Sequence, residues 1–265
     1  MAGELTYSTY LRIDDLLNLQ IPQSAVIGAE EHDEMLFIVI HQVYELWFKQ
    51  VLHELDHVVV LLNFDQGIRA GHSLKRVLAI LKVLVAQMDV LETMTPLEFM
   101  SFRERLESGS GFQSVQFREL EFSLGAKNAG VLDQTGLSDS ERARLSGRLD
   151  SPSLWTVVCR YMHRRGHQVP DDVLVGTTDG HPQESPVLQE SLIAAYRTDP
   201  ELMGLLERLV DLDEGLQEWR YRHVKMVERT IGGRPGTGGS SGAEYLRSTL
   251  GRSVFPDLWA IRSRF

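Results

Sequence analysis

His223 is the residue whose surroundings most invite chemistry. Leu205, Leu209, Leu212, Leu216, Trp219, His223, Val227 and Ile231 recur at three- and four-residue steps, the spacing that lines up one face of an α-helix. A histidine on that face turns inward with the leucines and needs a partner there. It is either a core imidazole satisfied by a backbone carbonyl or an axial ligand of a haem iron. A second histidine, His41, sits on a similar stripe with Phe37, Tyr44, Phe48, Val51 and Leu55. Such a pair could line a haem pocket from opposite sides, one ligating iron and one facing a substrate. Two unconnected structural histidines would give the same pattern, and spacing leaves both open.

Two further motifs carry chemistry in other settings. Gly236-Thr237-Gly238-Gly239-Ser240-Ser241-Gly242 is a loop whose glycines let backbone approach a ligand and leave N–H groups for anions. It lacks the Gly-Lys-Ser/Thr ending of a nucleotide-binding P-loop, and a flexible linker is its other reading. His53-Glu54-Leu55-Asp56-His57 matches the H-E-x-x-H zinc pattern. Neither the glycine nor the third histidine of the metzincin extension follows it. The two histidines follow Lys49 and Gln50 on the polar flank of their helix, so a solvated helix face is expected. A zinc hydrolase on His53, Glu54 and His57, with Glu92 a third ligand that spacing permits, is the different-class alternative.

These residues need helices to hold them, and the periodicity is helical nearly everywhere. An all-α, single-domain protein is expected over residues 1–265. Long central helices are expected over residues 34–63 and 73–93, the second with Val77, Leu78, Leu81, Leu84, Met88 and Leu91 inward. Thr95 reads as an N-cap with Pro96 first in the helix and Glu98 closing a capping box, so Phe99 and Arg103 share a face one turn later. Ser108-Gly109-Ser110-Gly111 ends that element, and helix resumes over residues 113–124. Residues 166–186, rich in Gly, Pro, Asp and Thr, read as a loop or insertion.

Composition narrows the class. The chain has 265 residues, 43% hydrophobic and 24% charged, enough for one substantial core. A net charge of −10 argues against nucleic acid or an anionic membrane as partner. The single Cys159 allows no internal disulfide and fits a reducing cytosol. No basic-then-apolar leader opens the sequence, and no apolar run approaches the roughly 18 residues of a membrane helix. A cytoplasmic enzyme is expected.

The sequence resembles the tryptophan 2,3-dioxygenase family of haem enzymes. The similarity rests on Leu5-Thr6-Tyr7 with Tyr10-Leu11, His32-Asp33-Glu34-Met35-Leu36-Phe37 leading to His41-Gln42, and Glu45-Leu46-Trp47-Phe48-Lys49. It continues through Leu91-Glu92-Thr93, Phe102-Arg103, Ser110-Gly111-Phe112-Gln113-Ser114, Trp219-Arg220-Tyr221-Arg222-His223 and the glycine-rich loop. The resemblance implies a helical bundle enclosing a haem pocket in an intertwined homotetramer, with one haem b per subunit. It also implies L-tryptophan and O₂ as substrates and N-formyl-L-kynurenine as product.

Residue by residue, it implies that His223 is the proximal iron ligand and that His41 hydrogen-bonds the indole N–H. Arg103 would pair with the substrate carboxylate, a bidentate contact. Thr237, in an active-site loop over residues 232–242, would bind the ammonium and carboxylate. Phe37 with the following Ile38, Val39 and Ile40, and Phe99, would contact substrate, and Ser110 would lie by the haem. Tyr7, Tyr10 and Leu11 would come from the neighbouring subunit's residues 1–25. Ile40 and Met88 depart from the residues often found at these positions. A related reaction is therefore carried as an alternative: haem-dependent insertion of one oxygen into tryptophan or a β-substituted tryptophan to give a 2-oxindole. A haem sensor without turnover is disfavoured by the completeness of the amino-acid site.

Overall fold

In a computed structural model the described residues are 5–107, 109–237 and 241–265. Ser108 of the predicted helix stop, and Gly238, Gly239 and Ser240 of the glycine-rich loop, lie outside them. The described residues form fourteen α-helices joined by loops and short 3₁₀ turns, with a single isolated β-bridge between Lys127 and Gly180. In chain order these are α1 (Tyr7–Leu11), α2 (Ile13–Leu17), α3 (Gln23–Val26), α4 (His32–Asn63), α5 (Gly67–Leu91), α6 (Pro96–Arg103) and α7 (Val115–Leu124). There follow α8 (Asp139–Asp150), α9 (Leu154–Arg164), α10 (Asp171–Val175), α11 (Pro186–Thr198), α12 (Pro200–Ile231), α13 (Ala243–Arg247) and α14 (Pro256–Ala260). The all-α expectation is met.

Three long helices build the core. α5 packs along both α4 and α12, α7 and α9 cover α4, and α11 with α14 covers α12. Two helices that carry cavity residues, α12 and α6, have a local reason to start where they do. α12 opens on Asp199, whose side chain accepts from the Leu202 N–H, with Pro200 in the first turn. α6 opens as read from sequence: Thr95 and Glu98 form a reciprocal capping box behind Pro96. The stripe on α12 is inward, with Leu205, Leu209, Leu212 and Leu216 buried.

One expectation is corrected. α5 begins at Gly67 and not near Ser73, because its first turns are a tight crossing: a Cβ on Gly67 would come within 2.3 Å of the Tyr161 hydroxyl and 2.4 Å of Glu201 Oε1. Glycine there reads as a helix breaker in sequence but serves close packing. Residues 166–186, read as a loop or insertion, hold α10 and the Gly180 bridge to Lys127.

Candidate active site

α4, α6, α7 and α12 enclose one cavity, closed at one end by the chain around Ser110 and the segments on either side of the glycine-rich loop. Phe37, His41, Phe99, Arg103, Ser110, His223 and Thr237 all line it. Residues from opposite halves of the sequence thus meet in one wall.

His41 is held by its own helix. Its Nδ1 lies 2.7 Å from the Phe37 carbonyl, and a carbonyl only accepts, so Nδ1 carries the proton and Nε2 keeps a lone pair. Burial lowers the pKa of the imidazole, opposed by the Phe37 hydrogen bond and the nearby Glu45 charge. The ring packs 4.1 Å from that of Phe37, which in turn meets Phe99 at 5.7 Å and Phe102 at 5.6 Å. His41 is therefore a fixed, neutral acceptor in an aromatic wall.

His223 differs in having no hydrogen bond to any described residue. Burial, with a smaller contribution from His41, pushes its pKa down to about 4. It stacks on Trp219, one helical turn earlier, with ring centroids 5.2 Å apart. Trp219 packs against Tyr44, Phe48 and Phe117. A neutral imidazole with an uncommitted lone pair in an aromatic cavity suits ligation to a metal held by a flat apolar group. Burial of the ring without such a partner would cost free energy.

Arg103 sits at the other end. One Nη donates to the Pro235 carbonyl at 2.6 Å, its Nε is buried without a partner, and no described carboxylate pairs with it. Its donor fork has capacity left for an anion. The Thr237 hydroxyl donates to the Gly109 carbonyl at 2.7 Å, tying the glycine-rich loop to the turn before Ser110. Ser110 Oγ accepts from the Phe112 N–H at 3.3 Å.

Not every predicted residue joins the wall. Ile38, Val39 and Ile40 are turned away from it by the helical rotation after Phe37: Ile40 is buried in the core and Val39 is exposed. Tyr7, Tyr10 and Leu11 are exposed and do not line this chain's cavity. Met88 does line it. His53 and His57 are exposed as expected, but Glu54 is only 3% exposed and accepts from Gln50 and Arg76. The expectation of a solvated face thus fails at Glu54. Among the described residues no cluster of histidine, cysteine and carboxylate could hold a metal ion, so the zinc alternative has no site there.

The structure adds a polar end that the sequence did not disclose. On α7, Arg118 donates to Glu121 at 2.6 Å and lies 4.6 Å over the Phe112 ring. Arg220 of α12 reaches the same carboxylate at 3.3 Å. The buried Arg118 Nε is left without a partner. The three-residue spacing of Arg118 and Glu121 was a visible signal for their pairing, but nothing local tied either to Arg220.

A helical cavity with a neutral imidazole from each of two helices, aromatic walls and arginine donors to spare has the chemistry to receive a flat apolar group and an aromatic carboxylate. The tryptophan 2,3-dioxygenase family model matches residues 1–141 and 185–265. The tryptophan 2,3-dioxygenase of Herpetosiphon aurantiacus is 55% identical over 99% of both chains. The same-named protein of Anaeromyxobacter sp. strain K is 53% identical over 98% of this chain and 96% of its own. That of Caulobacter vibrioides is 44% identical over the full length of both. The chain belongs to the tryptophan 2,3-dioxygenase family.

Proposed function

We propose that the protein is a haem-dependent dioxygenase that opens the C2–C3 bond of the indole ring of L-tryptophan with O₂, giving N-formyl-L-kynurenine. The observation that carries this is the convergence of His223, His41 and Arg103 on one cavity, in a chain so similar over its whole length to tryptophan 2,3-dioxygenases. One haem b per subunit would be held through the neutral His223 ring, among Trp219, Phe48 and Phe117, with Ser110 nearby and the spare Arg118 donor available to an acidic substituent. When bound, haem supplies the oxygen chemistry that no side chain here can perform.

The chain's own residues bind and orient. His41 Nε2 accepts the indole N–H, and because Nδ1 is committed to Phe37 the ring cannot swivel away. Phe37 and Phe99 flank the indole. Arg103 pairs with the α-carboxylate through the donors that the Pro235 carbonyl leaves free. Thr237 exchanges the Gly109 carbonyl for the substrate's amino-acid end.

Two further features complete the proposal. α1 and α2 have no buried residue, and Leu5, Tyr7, Tyr10, Leu16 and Leu17 are exposed. That apolar surface supports a homotetramer in which Tyr7, Tyr10 and Leu11 complete a neighbour's site. No helix among the described residues is long and apolar enough to cross a membrane, and we place the enzyme in the cytoplasm.

The test is haem binding. Purified protein supplied with haemin is expected to show a Soret band, and His223→Ala to lose most of it. A protein that stays colourless with haemin would overturn the proposal.

A further inference from the structure

The wall of α4 carries one charge that recognition of tryptophan leaves unexplained. Glu45 follows His41 by four residues, so the two side chains lie one turn apart on one face, and both line the cavity. The Glu45 carboxylate is clamped from α7: Gln116 Nε2 donates to its Oε2 at 2.8 Å and to its backbone carbonyl at 2.9 Å. Among the described residues no lysine, arginine or histidine comes within ion-pairing distance of it. Glu121, on the same wall, is instead neutralised by Arg118 and Arg220. A half-buried carboxylate that is fixed and unneutralised acts on the polarisable group beside it.

We propose that Glu45 is a positioning residue for substrate recognition: clamped by Gln116, its carboxylate strengthens His41 Nε2 as the acceptor of the substrate's indole N–H. The proposal rests on His41 meeting that N–H. The imidazole is already fixed as the Nδ1–H tautomer by Phe37. Accepting a hydrogen bond at Nε2 draws positive charge onto the ring, which a nearby anion favours. The Glu45 charge indeed raises the basicity of His41 against the effect of burial. Its counterpart without charge, glutamine, would keep the shape and the Gln116 contact while removing the field.

The experiment measures equilibrium binding of two ligands to the holoenzyme without O₂: L-tryptophan, and its benzothiophene analogue, in which sulfur replaces the N–H. Glu45→Gln is expected to weaken tryptophan about fivefold, the order of loss when a fixed charge beside a partly desolvated hydrogen bond is removed, and to leave the analogue unchanged. Gln116→Leu, which frees the carboxylate but keeps its charge, is expected to give a smaller loss, again for tryptophan alone. Equal weakening of both ligands in either variant, or of neither, would overturn the proposal. His41→Ala separates the levels. If it abolishes the preference for tryptophan while Glu45→Gln preserves it, only Glu45's role fails. If the preference survives His41→Ala, the contact between His41 and the indole fails with it.

Discussion

Each cavity histidine of this chain is defined by what its ring nitrogens are, or are not, bonded to. His41 spends Nδ1 on the Phe37 carbonyl and so offers one acceptor of fixed direction. His223 spends neither nitrogen on a described residue and is kept neutral to about pH 4. Their inward orientation was legible in the sequence because both sit on apolar stripes of regular spacing. The burial of Glu54 was not, since its partner Arg76 comes from another helix. Arg103 bears the clearest residue-level prediction. Arg103→Leu should lower kcat/KM for tryptophan by an amount equivalent to about 2–5 kcal/mol, the usual loss when one side of a desolvated charge pair is truncated. The same variant should barely change turnover of tryptamine, which has no carboxylate. Steady-state kinetics on both compounds would check this, and equal losses would remove Arg103 from the carboxylate site.

At the scale of the element, α12 is the beam that carries His223, and carboxylates fasten it at its start and midway along. At its start, Asp199 caps the Leu202 N–H and receives a two-pronged contact from Arg165, with Nε at 2.6 Å and Nη2 at 2.8 Å. The Arg165 contact holds the Asp199 carboxyl below its ordinary value of 3.8. Stability from this group is therefore present above that value and lost as pH falls through the lower folded value. Asp199→Ala should cost about 2 kcal/mol near neutral pH, and the gap in melting temperature from wild type should close below about pH 4. Midway along the helix, fully buried Asp213 gathers the Val254 and Phe255 N–H groups at 3.1 Å, the Trp259 indole N–H at 2.9 Å and the Ser253 hydroxyl. Asp213→Ala should destabilise by about 3 kcal/mol or more, because several buried donors lose their acceptor together. The helix itself and the α6 capping box could be read from sequence, since caps and stripes are local. The role of Asp213 could not, because its partners lie some forty residues away and no local pattern links them. The start of α5 was hidden for a related reason: only the crossing with Tyr161 shows why Gly67 belongs inside a helix.

At the scale of the whole molecule, the cavity is a product of topology: α4 and α6 supply the acceptor and the guanidinium, and α12 supplies the other imidazole. None of the residues of α1 and α2 is buried within the described chain, which leaves Tyr7, Tyr10 and Leu11 exposed. Replacing Tyr7, Tyr10 and Leu11 together by serine should shift the sedimenting species toward smaller assemblies and raise KM for tryptophan. An unchanged sedimenting species with unchanged kinetics would dissociate these residues from both roles. The departures at Ile40 and Met88 bear on the outcome of the reaction. Ile40 lies in the core and Met88 reaches the cavity, so of the two only Met88 can bear on what the cavity accepts. The most direct measurement is the mass of the product formed from L-tryptophan under isotopically labelled O₂. Ring opening predicts N-formyl-L-kynurenine carrying both labelled atoms; a product with one labelled atom and an intact five-membered ring would contradict it.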